Sequence, residues 1–423
     1  MKKIDFLLLL TIVFTTISSC YAQIDSSHFV TTWKTDNPGY SNDSAVIIGT
    51  NPQYNYNYDV DWNNDGVFDT LGVQSDLIIQ FPSPGTYTIR IRGSFSAIDF
   101  VGTLAGSRDP QKIVSIDQWG TSTWSSMYWA FKGCSNVVCN ASDAPDLSGV
   151  TDISGMFSQA TNFTGDLSGW DVSTITEMNG TFEEATEFNS DISNWDVSNV
   201  TSMFFMFHQA SLFNQNIGSW DVTKVKNMEG MFIDAQSFNH DISNWDVDSV
   251  TTMDMMFSGA TSFNQDISSW NIEKVNTMRR IFDYSGLSRT NYDKALIAWQ
   301  ANPHQSNVVL GADNITYCLG DSARSLLIAD GWSFNGDSLD CQLVGINENT
   351  TKPTFKIFPN PAIVQITIEM DQKFDVIHIY NSFGQIVLES NSKTTNIQAL
   401  DKGIYYFHVL YGSNRLSSTF IKK

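Results

Sequence analysis

The sequence is short of the residues from which most active sites are built. Its six histidines, His28, His208, His240, His304, His378 and His408, are scattered, and no H-E-x-x-H pair occurs. There is no G-x-S-x-G, no G-x-x-x-x-G-K-[ST] and no G-x-G-x-x-G, so the sequence carries no signature of a nucleophile elbow, a P-loop or a dinucleotide fold. Five cysteines are present, none in a C-x-x-C and none with a histidine at metal-ligand spacing, which argues against zinc. Basic residues are few: 24 Lys and Arg stand against 45 Asp and Glu, a net charge of −21. That balance disfavours nucleic acid or an anionic membrane surface as partner and favours solubility. The apolar run at 6–14 is too short to span a bilayer.

What is present is a period. Trp170, Trp195, Trp220, Trp245 and Trp270 follow one another at intervals of 25 residues. A fixed period in this range marks a solenoid, in which one unit stacks on the next. In the unit that begins at Ile192, apolar residues fall at Ile192, Trp195, Val197, Val200 and Met203, close to leucine-rich spacing. Period-two alternation predicts a short strand at Trp195 and Val197, with Asp196 facing out. Ser173, Ser198, Thr223 and Asp248 then share a column of good N-cap types, with Glu273 a weaker member. Behind it, Val200, Met203, Phe207 and Ala210 have the three- and four-residue spacing of an inward helix face. Ala185, Ala210, Ala235 and Ala260 are small where units must approach. Asn189, Asn214, Asn239 and Asn264 form a column able to bond the turns of adjacent units. The pattern starts loosely at Ala130-Phe131 and Cys134 and fails beyond Ile281-Phe282, about six to seven units.

These residues resemble the BspA-like leucine-rich repeats of bacterial surface proteins, over about residues 108–341, with the string Trp195-Asp196-Val197-Ser198-Asn199-Val200-Thr201-Ser202-Met203 almost intact. The resemblance implies a leucine-rich-repeat-type α/β solenoid at 108–285, a C-terminal cap at 286–341 that includes a helix near 292–299, and a secreted or surface-displayed protein, often associated with adhesion.

Before the repeats, residues 28–100 read as a small β-sandwich of short runs such as Ala45–Ile48, 76–81 and 86–91. Pro84-Gly85-Thr86-Tyr87-Thr88-Ile89 and Asp59-Val60-Asp61-Trp62 resemble strands of PKD-type domains, which implies an immunoglobulin-like spacer. Within it, Asp61, Asn63, Asp65, Gly66 and Asp69 occupy positions 1, 3, 5, 6 and 9 of a calcium loop, but Gly72 replaces the bidentate Glu. The alternative is a hairpin turn at Asp65-Gly66.

The chain begins with Lys2-Lys3 and an apolar run, read as a signal peptide over 1–22 cleaved near Ala22. A lipoprotein acylated at Cys20 is the alternative. Cys134, Cys139, Cys318 and Cys341 remain, an even number that suggests disulfides in an exported chain. Cys318–Cys341 would close the cap and Cys134–Cys139 would pin the first loop; alternatively Cys134 is a buried core thiol. After a polar linker at 342–352, residues 353–423 form alternating strands opened by Phe358-Pro359-Asn360-Pro361. With Ile377-His378-Ile379-Tyr380-Asn381, Gly384-Gln385 and Gly403-Ile404-Tyr405-Tyr406, this segment resembles the type A sorting domain of the type IX secretion system of Bacteroidetes. That implies a C-terminal β-sandwich, contact with the type IX machinery and export across the outer membrane.

No catalytic constellation stands out. Two acidic columns need weighing: Asp171, Asp196, Asp221 and Asp246, ended by Asn271, and Asp166, Asp191, Asp241 and Asp266, broken by Asn216. Stacked like charges need solvent, donors or cations. A hydrolytic acid/base pair needs two carboxylates in different environments, whereas a ladder repeats one environment. The expectation is a non-enzymatic, cofactor-free surface or secreted binding protein with an extracellular glycan or protein ligand. A structural envelope or matrix component is the alternative, and a hydrolase hidden in the acidic columns a third reading.

Overall fold

The computed structural model describes residues 25–102, 108–341, 355–370, 373–381, 384–411 and 414–423, so the signal segment, Cys20 and the 342–352 linker fall outside the described residues. The chain is β-rich and divides into two compact units, 1–341 and 342–423. Among the described residues the α-helices are α1 (Arg289–Ala301) and α2 (Asp321–Ala329).

The first unit starts with β1 (Phe29–Lys34), β2 (Ala45–Ile48), β3 (Asn57–Asp61), β4 (Thr70–Val73), β5 (Leu77–Gln80), β6 (Thr86–Ser94), β7 (Ile113–Gln118) and β8 (Val138–Cys139). Six of them form one sheet in the order β4-β3-β6-β1-β7-β8, and β2 pairs with β5. β7 lies beyond the 28–100 stretch yet pairs with β1, and on its other edge runs parallel to β8. β8 passes the ladder on through a parallel bridge from Cys139 to Gly165. The N-terminal sheet therefore continues into the repeats, and the two share one core: Phe100 and Trp119 both pack on Phe131, and Trp119 packs on Trp170.

The repeats form a stack of coils. Parallel bridges join Asp152, Glu177, Ser202, Asn227, Thr252 and Thr277 in succession, each 25 residues from the last. In one coil the amides of Met203, Phe205, Phe207 and Gln209 donate to the carbonyls of Asn227, Glu229, Met231 and Ile233 in the next. The amides between them, at Met206, His208 and Ala210, donate three residues back within the coil. This alternation accounts for a departure from the sequence reading. The 200–210 stretch is not helical, because every second amide serves the neighbouring coil rather than the carbonyl four residues back. Left-handed backbone at Phe205 and Gln209 also interrupts any right-handed helix. The spacing of three that suggested a helix face is instead a series of three-residue turns. The inter-coil ladder runs along this stretch, not along 195–197, although Trp195 and Val197 are buried and Asp196 exposed as expected.

Aromatic columns fill the coils. Phe131, Phe157, Phe182, Phe207, Phe232, Phe257 and Phe282 stack in sequence with centroids 5.5–6.2 Å apart. Each inner ring also faces a second one in its own coil, as Phe207 faces Phe213 at 3.9 Å. The Trp column supplies area and one directed bond per coil: the indoles of Trp195, Trp220, Trp245 and Trp270 donate to the carbonyls of Leu167, Ile192, Ile217 and Ile242. Trp170 is first in the series, where the chain has Ser142 in place of the preceding Leu or Ile, and its buried indole N–H has no acceptor. Thr181, the exception in the column of Met156 and Met206, is also buried, and its hydroxyl donates to the Met178 carbonyl.

The stack ends on a cap of α1, β9 (Val309–Gly311), β10 (Thr316–Tyr317), α2, β11 (Ser333–Asn335) and β12 (Ser338–Leu339). β9 accepts from the last coil: Met278 and Phe282 donate to Val309 and Gly311. Helix α1 is capped by Ser288 and buries Tyr292, Leu296 and Trp299. Buried Asp293 accepts from the amides of Cys318, Leu319 and Gly320. The Cys318–Cys341 disulfide closes this cap as expected. The Cys134–Cys139 bridge does not form: both thiols are free and buried. Cys134 takes the turn position that Ala160 takes in the next coil, its amide donating to Phe131 as that of Ala160 does to Phe157, while Cys139 lies in β8.

The second unit has two sheets. β13 (Phe355–Phe358), β14 (Gln365–Met370) and β17 (Thr394–Asn396) form one; β15 (Val376–Tyr380), β16 (Ile386–Ser390), β18 (Gly403–Tyr411) and β19 (Asn414–Lys422) form the other in the order β16-β15-β18-β19. Their alternate residues bury a core that includes Ile366, Ile377, Phe407, Val409 and Phe420.

Trp220→Ala should destabilise the first unit by about 3–5 kcal/mol. Trp220→Phe, which removes a buried hydrogen bond but leaves the Ile192 carbonyl its bond from the Trp195 amide, should cost about 0.5–1.5 kcal/mol more than Trp170→Phe, which removes an unpaired N–H. Urea unfolding of the three variants measures both differences.

Candidate functional site

The two acidic columns lie on the outside of the coils, and each member does the same local job. Asp171, Asp196, Asp221 and Asp246 accept at Oδ1 from the amide two residues on, at Ser173, Ser198, Thr223 and Asp248, and Asn271 does so for Glu273. In the second column Asp166, Asp191, Asp241 and Asp266 hold Ser168, Ser193, Ser243 and Ser268, while Asn216 holds Gly218. These are Asx turns, which need one side-chain oxygen and no charge, and so tolerate Asn in either column. Ser173, Ser198, Thr223 and Asp248 are thus the amide donors of turns rather than helix N-caps, since no helix follows them.

The same bonds set the ionisation. Hydrogen bonds from Ser173, Ser198 and Thr223 hold the carboxyls of Asp171, Asp196 and Asp221 below the usual aspartate range. The Ser168 and Ser193 bonds do so for Asp166 and Asp191, and Lys294 followed by Ser268 for Asp266. A hydrolytic acid needs the opposite shift, to stay protonated near neutrality.

At the proposed calcium loop, Asp61 accepts at Oδ1 from the Asn64 amide and at Oδ2 from the Gly66 amide. Asn63 and Asp65 accept from the amides of Asp65 and Val67, and Asp69 accepts from the Trp62 amide. The loop is held as a hairpin turn between β3 and β4 by its own side chains. Among the described residues no three His, Cys, Asp or Glu side chains converge on a metal-sized site. His208 is half-buried, its Nδ1 3.3 Å from Glu183. That hydrogen bond, with one from Ser158, holds the Glu183 carboxyl down. The His240 ring lies 3.0 Å from the Asn214 carbonyl. The Asn column works as expected: Asn189, Asn214 and Asn239 accept at Oδ1 from the amides of Asn214, Asn239 and Asn264.

One surface feature escaped the sequence reading. Gly155, Gly180, Phe205, Gly230, Met255 and Arg280 form a 25-residue column of left-handed backbone, continued by Trp129 in the first coil. Glycine is the ordinary occupant of such a position. Trp129, Phe205, Met255 and Arg280 are exceptions, and the first two belong to stacked aromatic pairs: Tyr128–Trp129 with centroids 4.8 Å apart and Phe204–Phe205 at 4.1 Å. The signal was present in the sequence as a column of glycines at 155, 180 and 230 interrupted by large residues.

In the second unit, Asn360 of the F-P-N-P segment clamps the final strand: its Oδ1 accepts from the Ile421 amide and its Nδ2 donates to Thr419. Asn381 and Gln385 close the β15–β16 turn through paired side-chain and backbone bonds.

Residues 125–239 and 215–309 match the family described as Mycoplasma protein of unknown function, DUF285. Residues 356–423 match the secretion system C-terminal sorting domain. No curated protein matches the chain. The two matches support a type IX-exported chain with BspA-like repeats. The sorting domain marks it for export across the outer membrane, to the cell surface or the medium, and implies contact with the type IX machinery. No helix among the described residues is long and apolar enough to cross a membrane.

Asp221→Asn should change stability by less than about 0.5 kcal/mol, whereas Asp221→Ala should cost about 1 kcal/mol. Because the folded-state carboxyls are depressed, their contribution is present above the usual aspartate value of about 3.9 and is lost as pH falls through the lower folded values. A melting temperature flat from neutrality to about pH 5 and falling below about pH 4 is expected from pH-resolved thermal melts.

Proposed function

We propose that the exported chain is a non-enzymatic binding protein of the cell surface or its surroundings, and that its stacked coils are a leucine-rich-repeat-type solenoid whose outer flank is the binding surface. In this reading the N-terminal sheets are an immunoglobulin-like, PKD-type spacer and the C-terminal unit is the export signal. The observation that carries it is the pairing of a sorting domain with a seven-coil stack whose regularity leaves long columns of side chains on the outside. The carboxylates considered for hydrolysis support a binding role rather than chemistry, since they are engaged in turns and hydrogen bonds hold Asp166, Asp171, Asp191, Asp196 and Asp221 below the usual aspartate range. A repeat scaffold of this kind spreads recognition over many coils instead of enclosing a reacting group.

The purified exported chain on extracellular-protein and glycan arrays tests the reading. A saturable ligand whose binding survives a calcium chelator is the expected outcome, because the Asp61 oxygens already hold backbone amides. Silence on both arrays would move the function to envelope assembly without a discrete ligand. Deleting 353–423 should leave the product in the periplasm, as read by cell fractionation.

A further inference from the structure

We infer that the type IX machinery grips this chain on the outer face of the β16-β15-β18-β19 sheet, through a receptor protein that offers an apolar groove to Tyr380, Ile386, Ile404, Tyr406 and Ile421. The sorting match at 356–423 implies contact with the machinery, and the two sheets of this unit differ in a way that selects the face. Nothing in this rests on the ligand reading above.

The two sheets share one core but not one kind of outer face. An antiparallel strand with one covered and one wet face alternates apolar and polar residues. Strand β14 does so: Ile366, Ile368 and Met370 are buried, and Gln365, Thr367 and Glu369 point the other way. In register with these, β13 and β17 add Lys356, Thr394 and Asn396 to the same wet face, with Phe358 as its apolar member. Strand β18 breaks the rule. Every residue from Ile404 to Leu410 except His408 is aliphatic or a Phe or Tyr. Tyr405, Phe407 and Val409 are buried in the core, while Ile404 is 59% and Tyr406 51% exposed on the opposite face. A strand apolar on both sides belongs where both sides are covered.

The neighbouring strands extend the patch. Ile404 stands opposite Ile421 of β19, Tyr406 opposite Tyr380 of β15, and Tyr380 opposite Ile386 of β16. Cβ atoms of directly opposite residues lie about 4.5–5.5 Å apart, so the five side chains form one patch across all four strands. Ile386 and Ile421 are exposed as well. Beside the patch runs a polar row whose members bond one another: the Tyr380 hydroxyl lies 3.3 Å from His378 Nδ1, and His378 Nε2 lies 3.4 Å from Glu389. A contiguous apolar patch with tyrosines inside and a polar rim is the form of a protein contact.

Charge separates this unit from its passenger. Residues 353–423 carry seven Lys and Arg against five Asp and Glu, in a chain that has 24 against 45. A neutral or acidic receptor surface therefore admits this unit and repels the rest of the chain. The five patch residues carry no charge, so the grip itself is apolar and salt screens it little.

The test follows export of the full chain from a type IX-competent cell by fractionation, for Tyr406→Thr, Ile404→Thr and Tyr406→Phe, with Ile78→Thr, an exposed apolar residue of β5, as control. Threonine is a good strand former, so melting temperatures should match the parent. Tyr406→Thr and Ile404→Thr should each lower the exported fraction by about tenfold, the effect of losing one anchoring side chain, and folded chain should collect in the periplasm. Tyr406→Phe and Ile78→Thr should export like the parent. A photo-reactive phenylalanine analogue in place of Tyr406 should crosslink to an outer-membrane type IX component identified by mass spectrometry, in a complex that survives a high-salt wash. The same analogue in place of Thr367, on the outer face of the other sheet, should not. Parent-like export of the two folded Thr variants would overturn the face. Crosslinks from position 406 only to lipid or to a second copy of the chain would do the same. Where a Thr variant fails to fold, the crosslink alone decides. Parent-like export after deletion of 353–423 would remove the sorting role altogether, a result separate from loss of the face.

Discussion

Everything in the first unit depends on the backbone exchange between coils. Half of the amides along each ladder stretch have no partner in their own coil, and a single repeat would leave them unpaired over a buried aromatic core. Such groups are costly to strand. The coil is therefore stable only as a neighbour of another coil, and both ends of the stack need terminators. β7 and β8 supply one by carrying the N-terminal sheet into the first bridges. β9 supplies the other by accepting from Met278 and Phe282. A stack continued in this way passes its last coil to β9 and then to the three-residue strand β11, and an edge strand that short is a poor template for pairing with other chains.

The aromatic columns follow from that exchange. Once the backbone holds successive coils in one register, each Phe must meet its equivalent, and the rings stack nearly parallel, as with Phe232 and Phe257 at an interplanar angle of 2°. Trp adds direction to area, because its N–H reaches a carbonyl of the preceding coil. Trp170 shows the limit of the scheme, since the first member of a series has nothing regular behind it.

Regularity also limits what the surface can do. A side chain repeated every 25 residues receives nearly the same surroundings each time, so the acidic columns become rows of equivalent turn caps. Chemistry needs asymmetry, and so does recognition of one ligand. On this scaffold asymmetry arises where a column breaks its rule, as the left-handed column does where Trp129, Phe205, Met255 and Arg280 stand in place of glycine. The C-terminal unit is organised differently, with the Asn360 clamp tying its first strands to its last.

The 25-residue period, the inward Trp, Val, Met and Phe, the outward Asp, the Asn column, the sorting segment and the cap disulfide were all legible in the chain, because each rests on spacing or on residue type alone. The conformation of the coil was not. Apolar residues three and four apart suit an α-helix and equally suit successive three-residue turns, and only the neighbouring coil, by taking every second amide, decides between them. The same holds for the cysteines: an even count indicates pairing, but the core position of Cys134 and the strand position of Cys139 keep both thiols reduced. The placing of the two aromatic pairs on one flank was beyond the sequence for a related reason. Tyr128-Trp129 and Phe204-Phe205 are 76 residues apart, and it is the stacking of coils that brings both pairs to one flank, with Gly155 and Gly180 in the coils between them.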